Sequence, residues 1–329
     1  MSEQPLTISQ IYTRGKERLA EIGYKRVFPP DSNTGASVRA NRKYLDSLFF
    51  RTKFFDPVAV DTDLTLFGVK LRTPVFCSPM SGFNQLSSTA LTDIANGFKD
   101  AGSLLMLGIG GSTELQSAID TGVPVVKIIK PYQRTELIYE KLRDAENRGC
   151  VAVGMDIDHF YGALRGDGVA MTDLFGPQNT DILRQLISAT KLPFIIKGVL
   201  SVQDAKESVQ IGASAIIVSS HGSSSIDFAI PPMAALPDIV EAAGDKVVVL
   251  IDTGFKTGND VLKALALGAK AVGFASSMLL AWGAGGSSGV ELLINQITAE
   301  LHRTMAATGC PNLSAIGRSV IVEMPLMRE

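Results

Sequence analysis

From residue 74 onward the chain repeats one pattern, and that repeat restricts the fold more than any other feature. A short β-rich run leads into a polar loop, a stretch of helical period, a glycine, and then the next run. The strand-like runs are PVFCSPM (74–80), SLLMLG (103–108), PVVKIIK (124–130) and VAVGMDID (151–158). They continue with PFIIKG (193–198), AIIVSSHG (215–222), KVVVLIDTG (246–254) and AVGFASS (271–277), making eight. Helical stretches such as STALTDIANGFKDAG, RTELIYEKLRDAENRG and TGNDVLKALALGAK lie between them. The joints DAG-SLL, NRG-CVA, QIGA-SAI and ALGA-KAV each set a glycine just past a helix end, where it supplies a left-handed cap before a buried strand. Runs apolar on both faces specify a parallel sheet covered by helices. Eight such units without a long interruption predict a closed (β/α)8 TIM barrel over 74–329, with a doubly wound open sheet as the alternative.

Residues 1–73 read as an extension to that barrel. TISQIYTRGKERLAEI has helical spacing at Ile8, Ile11, Leu19 and Ile22, and DLTLFGVKL alternates around a glycine like a hairpin that could plug the barrel floor. GAGGSSG (283–289) reads as a flexible loop before a last helix, VELLINQITAELHRTMAATG. A net charge of −2 gives no reason to expect nucleic acid or a membrane surface as partner. Cys77, Cys150 and Cys310 are far apart and show neither a disulfide framework nor metal-ligand spacing. The start, MSEQPLTISQ, lacks the layout of a signal peptide, and no apolar run approaches the roughly 18 residues of a spanning helix. The expectation is a soluble cytoplasmic protein acting on a small molecule.

In a barrel of this type, function gathers at the C-terminal strand ends. Those ends carry Ser78 to Ser81, Gly108, Lys127 and Lys130, Asp156 and Asp158, Lys197, His221, Asp252 to Lys256, and Ala275 to Ser277. Polar groups at the ends of apolar strands are costly unless they do something. His221 ends the sixth strand, where an imidazole could take a proton, with Asp156 or Asp252 orienting it; the alternative is a loop histidine bonded to a carbonyl. Lys197 could stabilise an anion or form a Schiff base, or it could be a snorkelling lysine. Lys127 and Lys130 lie an odd number of residues apart, so at most one faces the barrel. The segment from Asp252 through Gly254 and Lys256 to Gly258 suits a phosphate held by backbone N–H groups and a helix N-terminus, or is an ordinary βα turn. Asp167 and Asp173 read as solvated, and His159 and His302 as structural.

Several of these segments resemble the FMN-dependent 2-hydroxy acid oxidase and dehydrogenase family. IIKGVLSVQDA (195–205) resembles its lysine segment, HGxxxID (221–227) its histidine segment, and DTGFKTGNDVLKALALGAKAV (252–272) its phosphate loop and helix. VGMDID resembles the strand that carries its aspartate, and the likeness spans roughly residues 35–325. The resemblance implies FMN as cofactor and a homo-oligomer. It implies His221 as the base, Asp156 as its partner, and Lys197 against the pyrimidine edge of the flavin. Lys256 would stand near the phosphate, with Asp252 and Gly254 in the same loop, and the backbone of Ser78, Pro79, Met80 and Ser81 would lie behind the ring.

The departures from that family fall on the same rim. The arginine that grips a substrate carboxylate is Ser224 here, and a serine cannot replace a fixed cationic fork. By sequence the substrate-contacting tyrosine falls at Ile129 and the flavin-contacting glutamine at Lys127. A serine and a threonine that meet the flavin fall at Gly108 and Gly154, and the Gly-Arg pair that clamps phosphate falls at Ala275-Ser276. These exchanges point to an FMN oxidoreductase acting on something other than a simple small 2-hydroxy acid, unless Arg165 or another loop cation stands in. The alternatives are an isomerase or lyase using Lys197, Lys127 and His221, and a cofactor-less, non-catalytic paralogue.

Overall fold

A computed structural model describes residues 5–24, 34–161, 163–165, 168–170 and 174–324, with backbone alone for 163–165 and 168–170. Asp167, Asp173 and the side chain of Arg165 lie outside the described residues. The chain opens with α1 (Ile8–Glu21), whose Thr7 and Gln10 close a reciprocal capping box, and α2 (Ala36–Ser47). Three short strands follow: β1 (Leu48–Phe50), β2 (Leu64–Leu66) and β3 (Val69–Leu71). β2 and β3 pair antiparallel as a hairpin through Phe67 and Gly68, both at positive φ.

The repeat then runs β4 (Val75–Met80), α3 (Ala90–Asp100), β5 (Leu105–Leu107), α4 (Ser112–Ile119), β6 (Val125–Ile129), α5 (Thr135–Asn147) and β7 (Ala152–Asp156). A small antiparallel pair, β8 (Ala163–Arg165) and β9 (Gly168–Ala170), decorates the next loop. After it come α6 (Thr180–Ser188), β10 (Phe194–Val199), α7 (Val202–Gln210), β11 (Ala215–Val218), α8 (Pro232–Ala243), β12 (Val248–Ile251), α9 (Gly258–Ala266), β13 (Ala271–Phe274) and α10 (Ser276–Thr308). β14 (Ile321–Glu323) pairs antiparallel with β1.

The eight expected strands form one closed parallel barrel, with β13 pairing back onto β4. The glycines at the four named joints, Gly102, Gly149, Gly212 and Gly268, all have positive φ, between 71° and 102°. Two buried layers result. Inside the barrel, Phe76, Met106, Val126, Ile128, Ile195 and Ile217 pack with Leu64, Leu66 and Leu71 of the hairpin. Between strands and helices lies the larger layer, which includes Val125, Ile129, Val153, Met155 and Ile196. Successive strand residues alternate between the two layers, as the pleat requires.

The glycine-rich stretch 283–289 is not a loop. It continues α10, and helical geometry breaks only at Gly285 and Gly286. Its other glycines serve close packing. A Cβ at Gly283 would come within 2.9 Å of the Gly15 carbonyl, and one at Gly289 within 2.2 Å of the Ala281 carbonyl.

Candidate active site

Three left-handed residues in a row, His221 (φ 54°), Gly222 (65°) and Ser223 (63°), turn the chain sharply after β11. Two of them carry side chains that disfavour this region, a local strain typical of functional sites. The His221 N–H donates to Ser219 Oγ (3.1 Å) and the Ser223 N–H to Ser220 O (2.8 Å), which holds the turn. The His221 ring is thereby brought over the ends of β6, β7 and β10.

There it meets an ionic cluster whose Lys130, Asp156 and Lys197 are buried. Lys130 Nζ lies 2.7 Å from Asp156 Oδ2. Lys197 Nζ lies 3.1 Å from Asp156 Oδ1, as an ion-pair partner rather than an aligned hydrogen-bond donor, and 3.9 Å from Asp252 Oδ2. His221 Nδ1 is 3.3 Å from Asp158 Oδ1 and 3.6 Å from Asp156 Oδ1. Burial pushes the Asp156 carboxyl up, but Lys130 and Lys197 overcome it and hold the group far below the usual carboxylate range. Burial likewise acts against the Asp158 charge, and His221 and Lys197 outweigh it. Burial would strip Lys197 of its proton, yet Asp156, Asp252 and Asp158 keep it an ammonium.

His159, which the sequence marks as structural, belongs to this cluster. It is buried, stacks on His221 with ring centroids 3.6 Å apart, and its Nδ1 lies 2.9 Å from Lys130 Nζ. Burial, with His221 and Lys130 beside it, pushes its pKa down to about 2, so the ring is neutral. Nδ1 then accepts from Lys130. Nε2–H donates to Ser224 Oγ (3.2 Å), whose own proton goes to the His221 carbonyl (2.7 Å). Only the three-dimensional packing could disclose His159. His302 is exposed on α10.

The strand carrying Lys127 and Lys130 is one residue out of the register the resemblance suggests. Val126 and Ile128 face the barrel interior and Val125 and Ile129 face the helices, so Lys130 points to the site and Lys127 does not. Lys127 is buried under α4 and α5, donates to Gly108 O, and lines a separate cleft with Leu115, Leu137 and Lys141. Ile128 and Lys130, not Lys127 and Ile129, therefore face inward on this strand. Gly154 faces inward, but a Cβ there would come within 2.4 Å of the Ile195 carbonyl, so a threonine does not fit.

Beside the cluster, at the ends of β4, β10, β12 and β13, opens a cavity of about 290 Å3. Its lining includes Ser78, Pro79, Met80, Lys197, His221 and Asp252, and further along Gly254, Lys256, Ala275 and Ser276. Ser81 is exposed outside it, and Gly108 lies against the Lys127 cleft. At one end, Ser78 Oγ is buried without a hydrogen-bond partner among the described residues, and only a glycine at 273 leaves it room, because a Cβ there would stand 2.4 Å from that oxygen. At the other end, α10 begins at Ser276 with no side chain capping its first turn. Uncapped N–H groups and a helix dipole, with the Lys256 ammonium among the lining groups, suit a phosphate. The cavity thus fits an elongated ligand with a polar ring system at one end and a phosphate at the other.

A parallel barrel with such a cavity and a histidine–carboxylate–lysine cluster at its C-terminal rim defines a class of cofactor-dependent barrel enzymes. Within it, this chain belongs to the FMN-dependent dehydrogenase family, whose sequence profile matches residues 25–172 and 169–323. It is 30% identical to human 2-hydroxyacid oxidase 2 over 294 residues, covering 81% of this chain and 84% of that protein. It is 28% identical to 4-hydroxymandelate oxidase of Amycolatopsis orientalis, covering 87% and 90%, and 26% identical to glycolate oxidase of Spinacia oleracea, covering 85% and 86%. Among solved structures it is similar to an arginine-to-leucine variant of mandelate oxidase with 2-hydroxy-phenylacetamide, with a TM-score of 0.88, 27% identity, and coverage of 95% of this chain and 97% of that one. The chain is an oxidoreductase of a family that uses FMN and acts on CH–OH groups. Among the described residues no helix is long and apolar enough to cross a membrane.

Proposed function

We propose that this protein oxidises the CH–OH group of a substrate other than a small 2-hydroxy acid, with His221 as the base. The carrying observation is the absence of a spare cation beside His221 among the described residues. Lys130 and Lys197 are both paired to Asp156, and Ser224 spends its hydroxyl between His159 and the His221 carbonyl. With His221 in the neutral form that a base requires, three carboxylates (Asp156, Asp158, Asp252) against two ammonium groups leave the cluster one net negative charge, which repels a substrate carboxylate. A neutral relative of a hydroxy acid, such as its amide, escapes that repulsion.

In this reading Ser276, the first turn of α10 and Lys256 would hold the FMN phosphate, and Lys197 and the Ser78–Met80 backbone would line the part of the cavity that takes the ring system. Bound FMN supplies the two-electron acceptor for the substrate carbon. His221 keeps its proton on Nδ1, toward the Asp158 carboxylate, which leaves the Nε2 lone pair, with Lys130 Nζ only at a distant 3.4 Å, to take the substrate hydroxyl proton. Lys197, 3.2 Å from Nδ1, then faces an N–H; the carboxylates of Asp156 and Asp158 offset that contact and steady the imidazolium once it forms. The isomerase or lyase alternative draws no support from the geometry, since Lys127 opens onto a different cleft and Lys197 stays protonated. A cytoplasmic homo-oligomer completes the proposal.

The test is anaerobic bleaching of the FMN-loaded protein. 2-Hydroxy-2-phenylacetamide should reduce the flavin faster than lactate, glycolate or mandelate, and His221→Gln should slow it by roughly 10²–10⁴-fold while retaining FMN. Lactate or glycolate outpacing the amide would overturn the reading.

A further inference from the structure

The Lys130 ammonium has three N–H groups and three acceptors, but it does not hold them equally. Asp156 Oδ2 at 2.7 Å and His159 Nδ1 at 2.9 Å are close partners, and His221 Nε2 at 3.4 Å is a distant one. The two close partners are themselves fixed. Asp156 is 1% exposed and pinned from its other oxygen by Lys197. His159 is locked by the His221 stack and by the Ser224 hydroxyl, whose only proton is already committed. The third N–H is therefore held in place without a strong bond, and it points at the one nitrogen from which a proton can be exchanged.

We propose that Lys130 is the anchor of the substrate's reacting oxygen: the hydroxyl enters between Lys130 Nζ and His221 Nε2, accepting from the first and donating to the second. A bridging hydroxyl needs the two nitrogens on the order of 1 Å further apart than now, a shift within reach of the long, loosely held contact. This inference rests on the CH–OH reading and adds the group that positions the reacting atom. It also joins two departures from the family into one change. An arginine at 224 would set a second cation against neutral His159 and Lys130, whereas a serine there aims His159 Nδ1 at Lys130. The polar grip has thus moved from the loop after β11 to the end of β6. Because Asp156 neutralises it, Lys130 offers a strong directional donor rather than a free charge, which suits a hydroxyl oxygen better than a carboxylate.

The experiment compares 2-hydroxy-2-phenylacetamide with its deoxy analogue, phenylacetamide, on FMN-loaded full-length protein. Affinity is read from the concentration dependence of the flavin spectral change. The wild type should hold the hydroxy compound roughly tenfold more tightly. Lys130→Met should bring that ratio to about one while leaving phenylacetamide affinity and FMN content unchanged, a pattern that a general loss of structure does not produce. Lys130→Gln, which keeps a donor without the charge, guards against misfolding of the first variant and should give an intermediate ratio. An unchanged ratio in both variants, or a wild type that does not distinguish the two compounds, would overturn the proposal. A wild type that shows the preference yet never bleaches would sink the oxidation reading and leave the anchor standing.

Discussion

Lys127 and Lys130 sit three residues apart, and the β pleat sends their amines to opposite sides of one strand. Lys130 gains a carboxylate and a neutral imidazole. Lys127 has the Gly108 carbonyl as its hydrogen-bond acceptor, and burial, with Lys141 nearby, pushes it down to about 8. Its folded pKa thus lies below the ordinary 10.5, so holding the proton costs stability below pH 8, and the cost fades as the pH rises toward 10.5. Lys127→Met removes that titration. Its stability relative to wild type should fall by about 3 kcal/mol between neutral pH and pH 10.5, read by urea unfolding at matched pH values. A gap independent of pH would mean that the amine stays solvated. Alternation in the sequence establishes that the two lysines diverge. It does not say which faces inward, because the pleat repeats every two residues and carries no mark of where the lumen is.

At the scale of elements, α1 bears on the proposed phosphate loop although it lies outside the barrel. Its Tyr12 hydroxyl donates to the Lys256 carbonyl at 2.6 Å, steadying the loop assigned to the FMN phosphate. The helix comes that close because Gly15 meets α10 without a side chain; a Cβ there would stand 1.9 Å from the Leu280 carbonyl. That contact is backbone, so no rotamer relieves it and α1 must lift. Gly15→Ala gains up to about 1 kcal/mol of helix propensity against an overpacking cost of about 1–3 kcal/mol, a net loss. We expect a lower urea midpoint together with several-fold weaker FMN binding by flavin fluorescence; weaker stability with unchanged FMN affinity would uncouple α1 from the loop. The same crossing explains why 283–289 reads as a loop. Gly283 is a glycine for closeness and Gly286, at φ 59°, for a break, and composition does not separate the two uses.

For the molecule as a whole, FMN binding to the folded state alone must raise stability by mass action. At a hundredfold excess over Kd the gain is about 2.7 kcal/mol, or roughly 5 °C for a chain of this size. Thermal unfolding should show that rise with FMN and less than half of it with riboflavin, which lacks the phosphate; equal shifts would remove the phosphate role of Ser276 and Lys256. The barrel itself was legible without coordinates, because strand burial on both faces and glycine at helix ends are local requirements written in consecutive residues. The place of His221, the proposed base, was legible for the same reason, since it ends a strand run. Its surroundings were not. Lys130 meets His159 across 29 residues and His221 across 91, and His159 meets Ser224 across 65. Sequence alone therefore determined the eightfold scaffold and placed His221, Asp156 and Lys197 at the C-terminal ends of its strands. Barrel closure decided which polar groups share that rim: the register of β6 and the left-handed turn at His221 bring distant side chains within hydrogen-bond reach, and neither is encoded by any single stretch of residues.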